Sequence, residues 1–84
     1  MRWMYLVVAK NQPRGESRIL QVLDHQQVCA LTFLAYRCDE ELFVTIIVEA
    51  DAGKAERIES LLRRLQVTLR VHKLTQEDSC ELLD

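Results

Sequence analysis

Trp3-Met4-Tyr5-Leu6-Val7-Val8-Ala9 decides how this chain folds, because it contains no charged residue and no polar break. Val28 to Tyr36 and Leu42 to Val48 run in nearly the same way. Successive side chains of a strand point to opposite faces, so a sheet covered on one side should alternate apolar with polar. These strands do not alternate. A strand that is apolar on both faces needs cover on both, and the rest of the chain offers only two helical segments. The shortage points to a subunit that works through partners.

Moving outward from that first strand, Lys10-Asn11-Gln12-Pro13-Arg14-Gly15 is the one Pro/Gly cluster and reads as a loop. From about Glu16 to Gln26, Ile19, Leu20, Val22 and Leu23 group on one helical face, opposite Arg18, Gln21 and Asp24. Val28 to Arg37 returns to strand character, Cys38-Asp39-Glu40 forms a polar turn, and Leu42 to Glu49 completes a hairpin. Asp51 is placed to cap a second helix, from about Gly53 to Leu65. There Ala55, Ile58, Leu61, Leu62 and Leu65 make the apolar stripe, and Glu59 precedes Arg63 at the favourable i,i+4 spacing. Val67, Leu69 and Val71 alternate with Thr68, Arg70 and His72, as in an edge strand with one wet face.

The order is βαββαβ, a doubled split βαβ unit. Right-handed crossovers then give an α+β fold: a four-stranded antiparallel sheet with both helices on one face. The first and third strands lie at the centre. Val44, Ile46 and Val48 should meet the helices, leaving Phe43, Thr45 and Ile47 on the open face. In the second strand the outward set is Ala30, Thr32, Leu34 and Tyr36. Several large apolar side chains left wet would form a patch of the size that marks interaction sites.

With 84 residues and about half of them apolar, the chain is one small folded domain. The formal net charge is −2. No basic stripe interleaves with aromatics, so nucleic acid is not an expected partner. No apolar run approaches the ~20 residues that span a bilayer, and no leader pattern opens the chain. Cys29, Cys38 and Cys80 have no CxxC spacing and read as reduced thiols, which with the other features gives a cytoplasmic expectation. Residues 75–84 hold Glu77, Asp78, Glu81 and Asp84 and form an acidic tail after a domain of residues 1–74.

Catalytic chemistry finds little support. His25 and His72 lack an evident carboxylate or thiol partner, and surface roles outweigh acid–base or metal roles for both. Asp39-Glu40-Glu41 reads as solvated turn charge, and Arg57, Arg63 and Arg64 as helix exterior. The Lys10–Arg18 loop is the one segment where a ligand site and a plain turn weigh equally. It delivers backbone N–H groups at a helix N-terminus, which suits a carboxylate or phosphate. An acylphosphatase shares this element order, but its Gly-rich loop is missing and Asn11 is the only asparagine. The aromatic strand motifs of RNA-binding domains of this topology are also missing.

Three segments carry a family resemblance: Asn11-Gln12-Pro13 with Ser17-Arg18, Val28-Cys29-Ala30-Leu31-Thr32, and Arg64-Leu65-Gln66-Val67-Thr68-Leu69-Arg70-Val71. In order, over residues 2–74, they resemble the ACT-domain part of the small regulatory subunit of acetolactate synthase. The resemblance implies a ferredoxin-like ACT domain and a non-catalytic, dimeric subunit. That subunit would activate a catalytic large subunit in branched-chain amino acid biosynthesis. It implies no cofactor in this chain, with thiamine diphosphate and magnesium held by the catalytic partner, and a branched-chain amino acid as effector. Of the effector contacts it implies, only Asn11 matches the pattern; Arg14, Gly15, Gln27 and Val28 stand at or beside the other contact positions and complete the candidate effector site. The interface expected from the open sheet face read above falls on Thr32, Leu34, Tyr36, Phe43, Thr45 and Ile47.

Two departures qualify the expectation. The family has Gly after the loop proline, where this chain has Arg14, and Gly-aromatic-Asn where it has His25-Gln26-Gln27. They predict weak or absent valine feedback. The competing reading is a free-standing amino-acid-sensing ACT module of another system.

Overall fold

In the computed structural model, residues 1–75 are described. The acidic segment from Gln76 to Asp84, Cys80 included, lies outside them. The elements are β1 (Arg2–Lys10), α1 (Gly15–His25), β2 (Ala30–Cys38), β3 (Glu41–Glu49), α2 (Ala52–Arg64) and β4 (Thr68–Thr75). The strands form one antiparallel sheet in the order β2-β3-β1-β4. The expected βαββαβ architecture, with β1 and β3 at the centre, is therefore present.

Pairing of Tyr5 with Ile46 and of Val7 with Val44 fixes which residues share a face. Trp3, Tyr5, Val7 and Ala9 of β1 and Leu42, Val44, Ile46 and Val48 of β3 are all buried. They close a single core with Ile19, Val22 and Leu23 of α1 and Ala55, Ile58 and Leu62 of α2. Asp51 caps α2 as its sequence position suggests, its carboxylate accepting from the Lys54 N–H at 2.7 Å. That contact satisfies one of the donors that every helix N-terminus leaves free.

The polar groups of the two core aromatics, Trp3 and Tyr5, are paired. The Tyr5 hydroxyl donates to the Ala55 carbonyl at 2.7 Å. Burial, and then the negative charge of Glu59, push the phenol far above its ordinary pKa, so it remains a donor. Glu59 itself is clamped between Arg63 at 2.9 Å and Lys73 at 3.1 Å. Burial would raise its pKa, but hydrogen bonds and charge from both cations outweigh burial and hold it below the usual range. Lys73 also lies 5.2 Å from the centre of the Trp3 ring, which ties β4 to β1 and α2 at once.

Three sequence expectations are corrected, two of them by register shifts. The register between β2 and β3 shifts between Ala30 and Thr32, so Ala30 pairs with Val48 and packs against the core. It does not belong to the outward set, because the extra residue, Leu31, turns it to the other face. Leu69 is exposed where alternation placed it inside, because β4 carries a register shift opposite Val8/Ala9. Leu20 is exposed as well, leaving α1 a narrower buried stripe of Ile19, Val22 and Leu23.

Replacing Tyr5 with Phe removes the bond to Ala55 but keeps the ring. It should cost about 1 kcal/mol in urea unfolding, the net worth of one such bond.

Candidate functional site

The loop between β1 and α1 is tied down by one asparagine. The Asn11 side-chain amide donates to the Asp39 carbonyl at 3.0 Å, and its oxygen accepts from Arg37 Nε at 2.6 Å. Its backbone N–H donates to the Glu40 carbonyl at 3.0 Å. Arg37 then reaches Glu16 in the first turn of α1 with its Nη2, at 2.5 Å. Asn11, Arg37 and Glu16 therefore brace the loop, the β2–β3 turn and the start of α1 against one another. Arg37 and Glu16 were not singled out from the sequence, since 21 residues separate them and neither belongs to a motif.

The brace bears on the anion-binding expectation for this loop. A carboxylate already occupies the start of α1, because Glu16 bonds Arg37 and its own backbone N–H. Together with the charge of Arg37, these bonds hold its carboxyl below the usual range. Both ends of the Asn11 amide are likewise engaged. A ligand contacting Asn11 through its side chain would have to replace Arg37 or the Asp39 carbonyl.

Arg14 is the N-cap of α1 and sits at φ 68°, in the left-handed region, with no side-chain cap bond. Gly15 has an ordinary negative φ but no room: a Cβ there would lie 3.0 Å from Leu42 Cδ2. The close approach that this glycine permits is therefore that of a core leucine. Gln27 also has a left-handed backbone, at φ 57°. Its N–H donates to the Asp24 carbonyl, and that of Val28 to the Leu23 carbonyl. This pair of bonds is the Schellman ending of a helix, with Val28 and Leu23 buried beside it.

Arg14 and Gln27 occupy the two positions where this chain departs from the pattern it resembles, Gly at one and Asn at the other. Those are the residue types that tolerate a left-handed backbone most readily. The local backbone at both positions has the geometry that Gly and Asn suit.

The structure does not bring the five candidate contact residues together within one chain. Asn11, Arg14 and Gly15 lie at the start of α1, Gln27 and Val28 at its end. The 11 residues between those ends span about 16 Å at 1.5 Å per residue. The six candidate interface residues do share one surface. Thr32, Leu34 and Tyr36 of β2 pair with Ile47, Thr45 and Phe43 of β3, all on the face away from the helices. Met4, Leu6 and Val8 of β1 and Leu74 of β4 extend it. Leu34 is 64% exposed and Tyr36 63%, and the Tyr36 ring stacks on Phe43 with centroids 5.0 Å apart.

His25 and His72 are both exposed, one on α1 and the other on β4 beside Leu6. Glu41, beyond the turn, faces Arg70 at 3.8 Å. Among the described residues, no group of His, Cys, Asp and Glu is arranged to hold a metal ion, and no helix is long and apolar enough to cross a membrane.

No protein-family profile and no curated protein matches the chain. Solved structures do. The ACT domain of GTP pyrophosphokinase from Chlorobium tepidum superposes with a TM-score of 0.77 at 16% identity, over 88% of this chain and 97% of that one. The chain has the ACT-domain fold. The small subunit of acetolactate synthase from Thermotoga maritima shares this fold, with a TM-score of 0.78 at 13% identity, over 90% of this chain and 48% of that subunit. A formyltetrahydrofolate deformylase from Pseudomonas putida contains the ACT-like unit in 29% of its length, with a TM-score of 0.69 at 7% identity. At such identities the likeness speaks for the fold alone.

Two outcomes follow from the loop. Arg14→Gly should raise stability by about 0.5–1 kcal/mol in denaturant titration, since relief of left-handed strain exceeds the added freedom of the unfolded chain. The lowered pKa of Glu16 gives a stabilisation that is complete above the unfolded value near ~4.3 and lost as pH falls through the folded value. Unfolding free energy measured stepwise below about pH 5 should therefore fall less steeply in Glu16→Gln than in the parent chain.

Proposed function

We propose that this protein is a non-catalytic regulatory subunit that binds and activates the catalytic subunit of acetolactate synthase. The observation that carries the proposal is the open face of the sheet. Met4, Leu6, Val8, Leu34, Tyr36, Phe43, Ile47 and Leu74 share it, and neither helix covers it. Burying such a patch supplies about 25 cal/mol per Å2, which is enough to drive assembly once association costs are met.

The ACT fold and the three ordered segments of resemblance favour this particular partner. So does the left-handed backbone at Arg14 and Gln27, where the family pattern has Gly and Asn. The proposed mechanism is allosteric: binding energy favours the active arrangement of the large subunit, which carries the thiamine diphosphate and magnesium. A cytoplasmic location accords with that role.

Feedback by valine should be weak or absent. The Asn11 amide is engaged by Arg37 and Asp39, and Arg14 places a long side chain where the family has none. The second reading, a free-standing amino-acid sensor, draws on the same loop and predicts the opposite ligand behaviour.

Reconstitution with a catalytic large subunit tests the proposal. Acetolactate formation should rise when this chain is added in stoichiometric amount, and an unchanged rate sinks the reading. Calorimetry of the isolated protein with valine, leucine and isoleucine separates the two readings. No saturable heat is expected below ~1 mM ligand, whereas micromolar binding corresponds to about −8 kcal/mol and favours the sensor.

A further inference from the structure

The open face of the sheet is not uniform. Beside β4 it becomes a groove with an apolar floor of Leu6, Val8 and Leu69 and a rim of Arg63, Arg70 and His72. Pairing of His72 with Leu6 and of Arg70 with Val8 puts both polar side chains on the face away from the helices. Arg63 reaches the same strand from α2, its Nη2 donating to the Val71 carbonyl at 2.8 Å. The register shift opposite Val8/Ala9 turns Leu69 outward, where it is 46% exposed, and Leu6 is 36% exposed.

Charge in the groove is unbalanced. Among the described residues, no carboxylate lines it. Arg63 is held by Glu59 at 2.9 Å, but Arg70 meets Glu41 only at 3.8 Å, beyond hydrogen-bond range, and its side chain is 67% exposed. A small anion would satisfy the rim and leave the apolar floor wet. A segment that is both acidic and apolar suits rim and floor together.

The chain contains such a segment directly after β4. Gln76-Glu77-Asp78-Ser79-Cys80-Glu81-Leu82-Leu83-Asp84 follows Thr75, the last residue of that strand. Glu81 and Asp84 flank the apolar pair Leu82-Leu83. Residues 1–75 hold all 11 basic residues and nine of the 13 acidic ones, so the four acids of this segment face a body of net charge +2. Its length also fits. A reversal over residues 76–79, where Asp78 and Ser79 are good turn formers, leaves five residues that extend about 16 Å back along β4. Leu83 then stands level with His72, the β4 partner of Leu6, and Asp84 comes within side-chain reach of Arg70.

We propose that residues 76–84 fold back along β4 and dock in this groove of their own chain. Leu82 and Leu83 cover Leu6 and Val8, and Glu81 and Asp84 meet Arg70 and Arg63. A short tether holds the segment near the groove at about millimolar effective concentration, so contacts too weak for a free peptide suffice. The docked segment covers the β4 side of the open face and leaves Leu34, Tyr36, Phe43 and Ile47 bare. A partner that needs the whole face must displace it, which makes the segment a tethered competitor there.

The full chain tests this by limited proteolysis with glutamyl endopeptidase, which cleaves after Glu81 when that residue is accessible. Arg70→Glu alters the groove and leaves the cleaved sequence intact. It should speed the initial cleavage after Glu81 at least about threefold. Arg57→Glu, on the exposed side of α2, should leave the rate unchanged. Amide spectra locate the contact. Those of the parent chain and of the variant carrying Leu82→Ser and Leu83→Ser should differ at Leu6, Val8 and residues 69–72, and agree over both helices.

Equal cleavage rates in the parent chain and Arg70→Glu overturn the proposal, as do identical spectra at the groove. Protection that falls on tenfold dilution overturns it as well, because the occupant is then the tail of another copy. These measurements use this chain alone, so their outcome is independent of which enzyme the protein serves.

Discussion

The pairing of β1 with β3 is the constraint from which the rest of this structure follows. Their register, with Tyr5 opposite Ile46 and Val7 opposite Val44, assigns every residue of the two central strands to a face. On one side, eight side chains are buried under two helices. On the other, Met4, Leu6, Val8, Phe43 and Ile47 are left to β2, β4 and whatever lies beyond them. A one-residue slip would exchange the two sets. Because both sets are apolar, hydrophobicity alone does little to prevent that slip. The buried Tyr5 hydroxyl, bonded to Ala55, and the Trp3 indole N–H, which donates to the Ala50 carbonyl at 3.0 Å, specify it by hydrogen bonding.

The corner at the start of α1 shows the same economy of polar contacts. Asn11 and Arg37 join the loop, the hairpin turn and Glu16 through bonds to each. The surroundings of Arg14 and Gln27 hold both in left-handed conformations that their side chains do not favour. The backbone at both ends of α1 is therefore set by its neighbours more than by local preference. Such a frame can keep its shape while the side chains of the loop vary.

Face and edge leave this domain with two kinds of unmet demand. The open face offers apolar area, which is non-directional and suits a partner of unlike structure. The β2 edge offers hydrogen-bond donors and acceptors in fixed register, which only another strand satisfies fully.

Periodicity and composition determined the order of the elements, the helical stripes through Ile19 and Ile58, the cap at Asp51 and the excess of apolar strand surface. Each of these depends on residues close together in the chain, or on a repeat that survives without its neighbours. The tertiary structure decided where alternation fails. Leu31 and Leu69 each fall at a register shift, and a shift depends on the partner strand as much as on the strand itself. Only the fold could reveal that Asn11 is engaged by Arg37, that Gly15 makes room for Leu42, or that Arg63 bonds the Val71 carbonyl. Those contacts join residues far apart in sequence, and no local pattern records them. The apolar strands thus announced an excess of apolar surface, and three-dimensional placement decided which residues share the face that the helices leave open.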